Sequence, residues 1–339
     1  MLLFDKLRHV YPFSIYYLRA EGKRRTALFT LIIGDNDAGQ RLDKFLLKTL
    51  VHCPKSLLYK ANRQKKIKVN RKRVELSVML QPGDQLDLYL PDEFDPAQRG
   101  GAVAGTLAAA VPPLPADDIV YEDDHLLVVN KPVGTPAHSE QRGACNLRDQ
   151  VLCYLMASGS YRPQRELSFV PALANRLDRN TQGLVLVGKT APALRELCRL
   201  IREDRVQKRY LCLVSGVPQP DRAVLTGYLR KDRQQNRSEI LDEPVPGAKK
   251  VVTEYRVLRQ LGGHAEVEVL LHTGRSHQIR AQMAAIGHPI LGDKKYGGQH
   301  PAYRWQALCA YRLQLQPEPD SMLSYLAGRE FAVDPWFAI

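Results

Sequence analysis

Apolar and polar positions follow two different periods in the first ninety residues. RTALFTLII, residues 25–33, is a run of β-forming side chains that stops at GDNDAG, which predicts a strand leading into a turn-rich loop. From Arg41 the period lengthens. RLDKFLLKTL places Leu42, Phe45, Leu46 and Leu50 on one helical face with Lys44 and Lys48 on the other, a short amphipathic helix. A second helix is expected from PKS, with Ser56 as N-cap of LLYKANR. The stretch KKIKVNRKRVELSVMLQPGDQLDLYL then reads as short strands parted by NRKR and QPGD turns. Residues 1–24 show no clear period; with the strand after them they are taken as an N-terminal arm and strand, residues 1–37.

Residues 92–117 are dominated by Pro, Gly, Ala and acidic residues without a sustained apolar period, which predicts a flexible linker. Beyond it, IVYED and HLLVVN are two β-like runs closed by a KPVG turn, and strand patterns recur at 184–187, 209–214, 251–257 and 265–271. Helical patterns cover 191–203 and 276–286. Many strands with few helices predict an α+β body, residues 118–339, on a mixed or antiparallel sheet rather than a doubly wound one.

Charge sharpens this division. The 339 residues carry 49 basic and 36 acidic side chains, net +13, which favours a polyanionic partner. Residues 1–90 hold 18 basic and 8 acidic side chains, so almost all of the excess lies in the first segment. A basic binding module joined to a more neutral body is the expectation. Arg63, Lys65, Lys66, Lys68, Arg71, Lys72 and Arg73 cluster where the second helix meets the first hairpin, close enough to meet several phosphates at once. The six cysteines form no CxxC pair and no ligand spacing, and they read as reduced, mostly buried thiols. No apolar run is long enough for a membrane helix and no signal peptide pattern opens the chain, so a cytoplasmic protein is expected. No glycine-rich phosphate loop is present.

The two helices, basic hairpin and QPGD turn over residues 38–91 resemble the small S4-like RNA-binding domain. Four stretches of the second region carry charged or aromatic side chains beside Gly or Pro: VVNKPVGTPAH (128–138), NRLDRNTQG (175–183), QKRYLCLVSG (207–216) and HTGRSHQIRAQMAAIGHPILGDKKYG (272–297). Together, and in this order, they resemble the RluA-type family of RNA pseudouridine synthases. The resemblance implies a catalytic domain of that type behind a small N-terminal α/β RNA-binding domain, acting without cofactor or metal and as a monomer. By it, Asp178 is the catalytic aspartate, Tyr210 the active-site tyrosine and Arg280 the arginine paired with the aspartate. Arg176 matches the arginine that fills the space left by a flipped-out nucleotide. Lys131, Arg275, His277, Gln278 and Tyr296 occupy motif positions as supports of the pocket, with Lys131 and Arg275 also expected to meet RNA alongside Lys65, Lys66, Arg71 and Lys72. Three stretches depart from the family pattern: Asn175 stands where His is common, TQG, with Gln182, replaces TSG, and AQMAAIG replaces a VHLAAIG-like sequence.

The chemistry fits the residue types. Isomerising uridine requires breaking the base–ribose bond, turning the base and rejoining it through carbon 5, and a carboxylate can attack ribose carbon 1 or remove the carbon 2 proton. Either role needs an anion beside RNA, which phosphates repel unless neighbouring cations offset them. A target base inside a helix must first be extruded, and an arginine can fill the gap. Tyr210 can stack on the uracil and help move the carbon 5 proton. Taken singly, each residue has a plainer reading: a turn aspartate, a sheet aromatic, a solvated arginine. Large-subunit ribosomal RNA is the expected substrate, with transfer RNA as alternative. A non-catalytic RNA-binding assembly factor is a second class, and a hydrolase pairing Asp178 with Asp293 a third. Metal binding through His272 and His277 fits no standard zinc spacing.

Overall fold

The computed structural model describes residues 13–18, 26–50, 52–96, 111–139, 144–232, 234 and 237–337. The proposed arm, residues 1–24, lies outside them except for 13–18, and so does residue 25. Of the proposed linker, residues 97–110 lie outside them. Two compact units form. One takes the described residues up to Pro113 with Val151–Pro171 and Lys189–Pro192; the other takes Leu114–Gln150, Ala172–Gly188 and the chain from Ala193.

In the first unit, β1 (Phe13–Leu18), β2 (Thr26–Ile32), β3 (Ile67–Val69), β4 (Lys72–Arg73) and β5 (Gln85–Pro91) form an antiparallel sheet in the order β1-β2-β5-β3-β4. Helices α1 (Leu42–Thr49) and α2 (Lys55–Arg63) complete it. Leu42, Phe45 and Leu46 are fully buried and pack with Phe29, Ile67, Leu86 and Leu88, while Lys44 and Lys48 face solvent. Ser56 is not the cap of α2. The cap position falls to Pro54, already extended at φ −61 and ψ 140, whose carbonyl accepts Leu57 N at 3.0 Å, and no side-chain cap bond forms.

The basic hairpin turns on two residues. Val69 pairs with Lys72, and Asn70 and Arg71 between them have φ of 50° and 65°, the type I′ geometry that matches strand twist. Arg63, Lys65, Lys66, Arg71, Lys72 and Arg73 are all exposed, and none has an ion pair among the described residues. The GDNDAG loop is no free loop: buried Asp37 accepts Ser168 N at 2.8 Å and Ser168 Oγ at 2.6 Å.

The second unit is an eleven-stranded mixed sheet. Its strands are β6 (Ile119–Glu122), β7 (Leu126–Lys131), β8 (Ala172–Leu173), β9 (Gln182–Gly188), β10 (Val206–Ser215), β11 (Arg222–Asp232), β12 (Arg237–Leu241), β13 (Lys249–Leu261), β14 (His264–Leu271), β15 (Leu308–Leu315) and β16 (Glu330–Ala332). The path runs β12-β11-β13-β14-β10-β15-β9-β7-β6, with β16 beside β15 and β8 beside β9. The helices that follow in the chain are α3 (Leu147–Ala157), whose residues from Val151 belong to the first unit, α4 (Ala191–Arg202) and α5 (Gln278–Ala285). LLVV in β7 and LVLV in β9 are unexposed at every position, as continuous apolar runs require when both faces of a strand are covered.

Among the described residues the one parallel pair is β15 with β9, Cys309 opposite Gln182 and Ala310 opposite Gly183. Gly183 sits at φ 128°, and a Cβ there would lie 2.4 Å from the Ala310 carbonyl oxygen, so only glycine lets these backbones meet. Of the six free thiols three are buried, Cys53, Cys212 and Cys309, and Cys145 and Cys198 are exposed, fewer buried than their composition suggests.

Candidate active site

The loop between β8 and β9 carries Asp178, and its position is fixed from three sides. Asn175 forks onto β9, donating to Leu184 O at 3.2 Å and accepting Leu186 N at 2.7 Å. Thr181 N donates to Asp178 O at 3.1 Å, and Gln306 Nε2 to Thr181 Oγ1 at 3.2 Å. The KPVG turn latches the loop from the far side: Gly134 N donates to Arg179 O at 3.0 Å and Arg179 Nε to Gly134 O at 3.0 Å. Lys131 is wholly buried there, its Nζ donating to Pro132 O at 2.9 Å, Thr135 O at 2.9 Å and Arg179 O at 3.0 Å. Burial pushes its pKa down to about 8, opposed by the Asp178 charge, which leaves the ammonium in the majority at neutral pH. The expectation that Lys131 meets RNA is therefore corrected: all three of its donors are committed to carbonyls, and its work is to hold the aspartate loop.

Asp178 opens into a cleft of about 710 Å³ lined by Arg176, Tyr210, Arg275, His277, Gln278 and Arg280, among others. Arg280, on α5, is 7% exposed. Its Nη1 donates to Asp178 Oδ2 at 2.9 Å, while Nε and Nη2 form a fork on Asp293 at 2.6 and 2.9 Å. Burial works against the guanidinium charge, but Asp293 first and Asp178 second outweigh it, and the group stays cationic. Asp178 Oδ1 has no hydrogen bond among the described residues, and the side chain is a quarter exposed toward the cleft. Asp293 is thus the buried partner that orients Arg280 toward Asp178.

Tyr210, on β10, is buried in the same cleft, and burial first and the Asp178 charge second drive its phenol well above the usual range. It presents a neutral ring and hydroxyl, suited to stacking. Arg176 and Arg275 are exposed at the cleft with no ion pair among the described residues. Gln278 is fully buried and spends its amide on the TGRS turn, accepting Thr273 Oγ1 at 2.9 Å and Arg275 N at 3.1 Å and donating to Thr253 Oγ1 at 2.8 Å. His272 and His277 have separate surroundings. His272 lies 3.6 Å from Asp204 and 3.7 Å from Glu254, whereas His277 faces Asp178 and Tyr296.

Gln182, a departure from the family pattern, turns away from the cleft and holds the C-terminal segment, donating to Asp334 O at 3.1 Å and accepting Trp336 N at 2.6 Å. Asn175 and Gln182 are thus both spent on backbone. Sequence reasoning passed over Asp293 as a partner of Arg280; its place in GDKKYG, inside the last motif, was the available signal.

A model of the RNA pseudouridylate synthase family matches residues 125–285, and a model of the S4 domain matches residues 40–86. Ribosomal large subunit pseudouridine synthase C of Vibrio cholerae is 36% identical over 273 residues, 80% of this chain and 82% of that protein. The chain belongs to the RNA pseudouridylate synthase family. The synthase of the same description from Escherichia coli K12 is 37% identical over 264 residues, 77% of each chain. Among solved structures, human RNA pseudouridylate synthase domain containing 4 shares the fold with a TM-score of 0.50 at 20% identity, covering 70% of this chain and 93% of that one. The protein is an isomerase that converts uridine in RNA to pseudouridine, with an S4 domain ahead of a mixed-sheet α+β catalytic fold. No helix among the described residues is long and apolar enough to cross a membrane.

Proposed function

We propose that this synthase modifies uridines of large-subunit ribosomal RNA as a cytoplasmic monomer, with Asp178 as the catalytic carboxylate. The reading assigns residues 38–91 to RNA binding and 118–339 to catalysis. The observation that carries it is the Arg280 guanidinium shared between buried Asp293 and cleft-facing Asp178. A carboxylate with one oxygen engaged by a fixed cation and the other open to a cleft is oriented for work on a ribose. In the reaction the N1–C1′ bond breaks, the base turns, a C5–C1′ bond forms, and the proton lost from C5 is balanced by one gained at N1. Attack at C1′ or proton removal at C2′ both use the Asp178 oxygen left open. Tyr210 supplies the stacking surface for the uracil, and its hydroxyl takes part in moving the C5 proton in concert with a neighbour, since its own ionisation is disfavoured. Arg176 and Arg275 meet the flanking phosphates or fill the vacated stack.

The test is a pseudouridine map of total RNA, by carbodiimide adduct and primer extension, in cells lacking the gene and in cells restored with wild type or Asp178→Asn. Large-subunit sites that vanish and return only with wild type are expected. Sites lost from transfer RNA instead would reassign the substrate, and full restoration by Asp178→Asn would leave a binding role alone.

The S4-like hairpin provides sequence-tolerant affinity. Replacing Lys65, Lys66, Arg71 and Lys72 together by neutral residues is expected to weaken RNA binding and to lower the slope of log K against log salt by about 3. The single-turnover rate at saturating RNA should stay within about twofold of wild type. A rate that falls as far as the affinity would end this division of labour.

A further inference from the structure

Among the described non-glycine residues that line the cleft, His277 alone has a left-handed backbone conformation, φ 60° and ψ 14°, at the N-terminus of α5. A non-glycine residue there costs of order 1 kcal/mol, and its surroundings must hold it. Its side chain packs edge-on against Tyr296. The Tyr296 hydroxyl lies 3.1 Å from His277 Nδ1 and accepts the Ser238 backbone N–H at 2.7 Å. Two guanidinium groups, Arg237 and Arg280, lie over the Tyr296 ring, each 5.1 Å from its centre. On its other side His277 presents Nε2 to Asp178 Oδ2 at 3.8 Å.

One of these bonds has a fixed direction: a backbone amide only donates, so Ser238 N–H points at the tyrosine oxygen. The phenol then has its proton to donate to His277 Nδ1 or a second lone pair to accept from it, according to the tautomer. When Nδ1 accepts it carries no proton, and the imidazole proton sits on Nε2, the nitrogen turned toward Asp178. Burial, which lowers the His277 pKa, keeps the ring neutral and the arrangement intact at neutral pH.

We propose that Tyr296 is a positioning residue for catalysis: through its hydroxyl it fixes His277 as the Nε2–H tautomer, so that a neutral donor faces Asp178 and closes on it when RNA fills the cleft. This rests on the reading of Asp178 as the catalytic carboxylate. The charged and titratable groups around His277 are Asp178, Arg280, Asp293, Lys295 and Tyr296. Of these, Arg280 and Asp293 are locked to each other, so the Tyr296 hydroxyl is the partner that selects between the two tautomers. Edge strand β12 enters the site in the same way, since its Ser238 N–H orients the phenol.

Tyr296→Phe keeps the ring beneath the two arginines and removes only the hydroxyl, and two readings of it decide the matter. Nitrogen-15 spectra of imidazole-labelled full-length protein, assigned with His277→Gln, should show His277 protonated at Nε2 in wild type and a tautomer mixture in Tyr296→Phe. Single-turnover rates at saturating RNA should fall by about tenfold with RNA affinity unchanged, and the acidic limb of the pH–rate profile should move to higher pH, because the O–H donation that opposes protonation of Nδ1 is gone. His277 protonated at Nδ1 in wild type would overturn the proposal. So would a Tyr296→Phe enzyme with wild-type tautomer, rate and pH profile. The spectra need no turnover, so a failure of the Asp178 reading, seen as activity in Asp178→Asn, is distinguishable from a failure here.

Discussion

Asp178→Asn is expected to fold as wild type, to bind RNA at least as tightly, and to lose pseudouridine formation by about 10⁴-fold or more in single turnover. The amide keeps the size of the carboxylate and can still accept the Arg280 N–H, so the fold loses little. What disappears is the charge that faces the ribose, and asparagine neither displaces a base from C1′ nor removes a proton from C2′ at a useful rate. Removing one anion from a surface that meets phosphates can only favour association. The measurement is release of tritium from 5-tritiated uridine RNA with enzyme in excess, beside filter binding. Residual turnover within a hundredfold of wild type would assign the chemistry to another group.

Arg280→Met should damage both stability and catalysis. Asp293 is 2% exposed and its two oxygens are held by the guanidinium fork, so an apolar side chain leaves a buried carboxylate without its partner. Breaking a buried pair in this way costs about 3–5 kcal/mol, read as a drop in the urea midpoint. Arg280→Lys retains charge but loses the fork and should fall between the two. The double change Arg280→Met with Asp293→Leu should recover much of the stability and none of the activity, because no cation remains on Asp178. Wild-type stability in Arg280→Met would mean that Asp293 finds another donor.

Local rules carried the sequence reading wherever one face of an element decides its shape. The apolar stripe of α1, the type I′ turn at Asn70–Arg71 and the unbroken apolar runs of β7 and β9 all follow from residues within ten positions of one another. Strands β11 and β12 were passed over because RAVLTGYLRKD and RSEIL are half exposed and charged at their ends, so no period stands out. Strand β15, LCAYRLQL, was passed over for another reason: its burial comes from neighbours in β9 and β10 more than a hundred residues away or close to it. Helix α3 holds Val151, Cys153 and Tyr154, which favour strands, and its placement is a matter of packing. At the site the candidate residues and the pairing of Arg280 with Asp178 could be named, but the remaining bonds could not. The partnership of Arg280 with Asp293, the burial of Lys131 beneath three carbonyls and the backbone duties of Asn175 and Gln182 depend on which loops meet, and spacing along the chain is silent on that.

The place of β15 in the sheet has a consequence for biosynthesis. Strand β10 bears Tyr210, β9 follows directly on Asp178, and residues 308–315 lie between them as the strand that joins the two. The segment needed to bring the tyrosine and the aspartate into one sheet therefore leaves the ribosome only after both of them. Long-range pairing of this kind forms slowly, and the growing polypeptide cannot join Tyr210 to the Asp178 loop through the sheet until residues 308–315 have emerged. A product of premature termination between residues 91 and 308 retains the basic hairpin but lacks the strand that joins Tyr210 to the Asp178 loop.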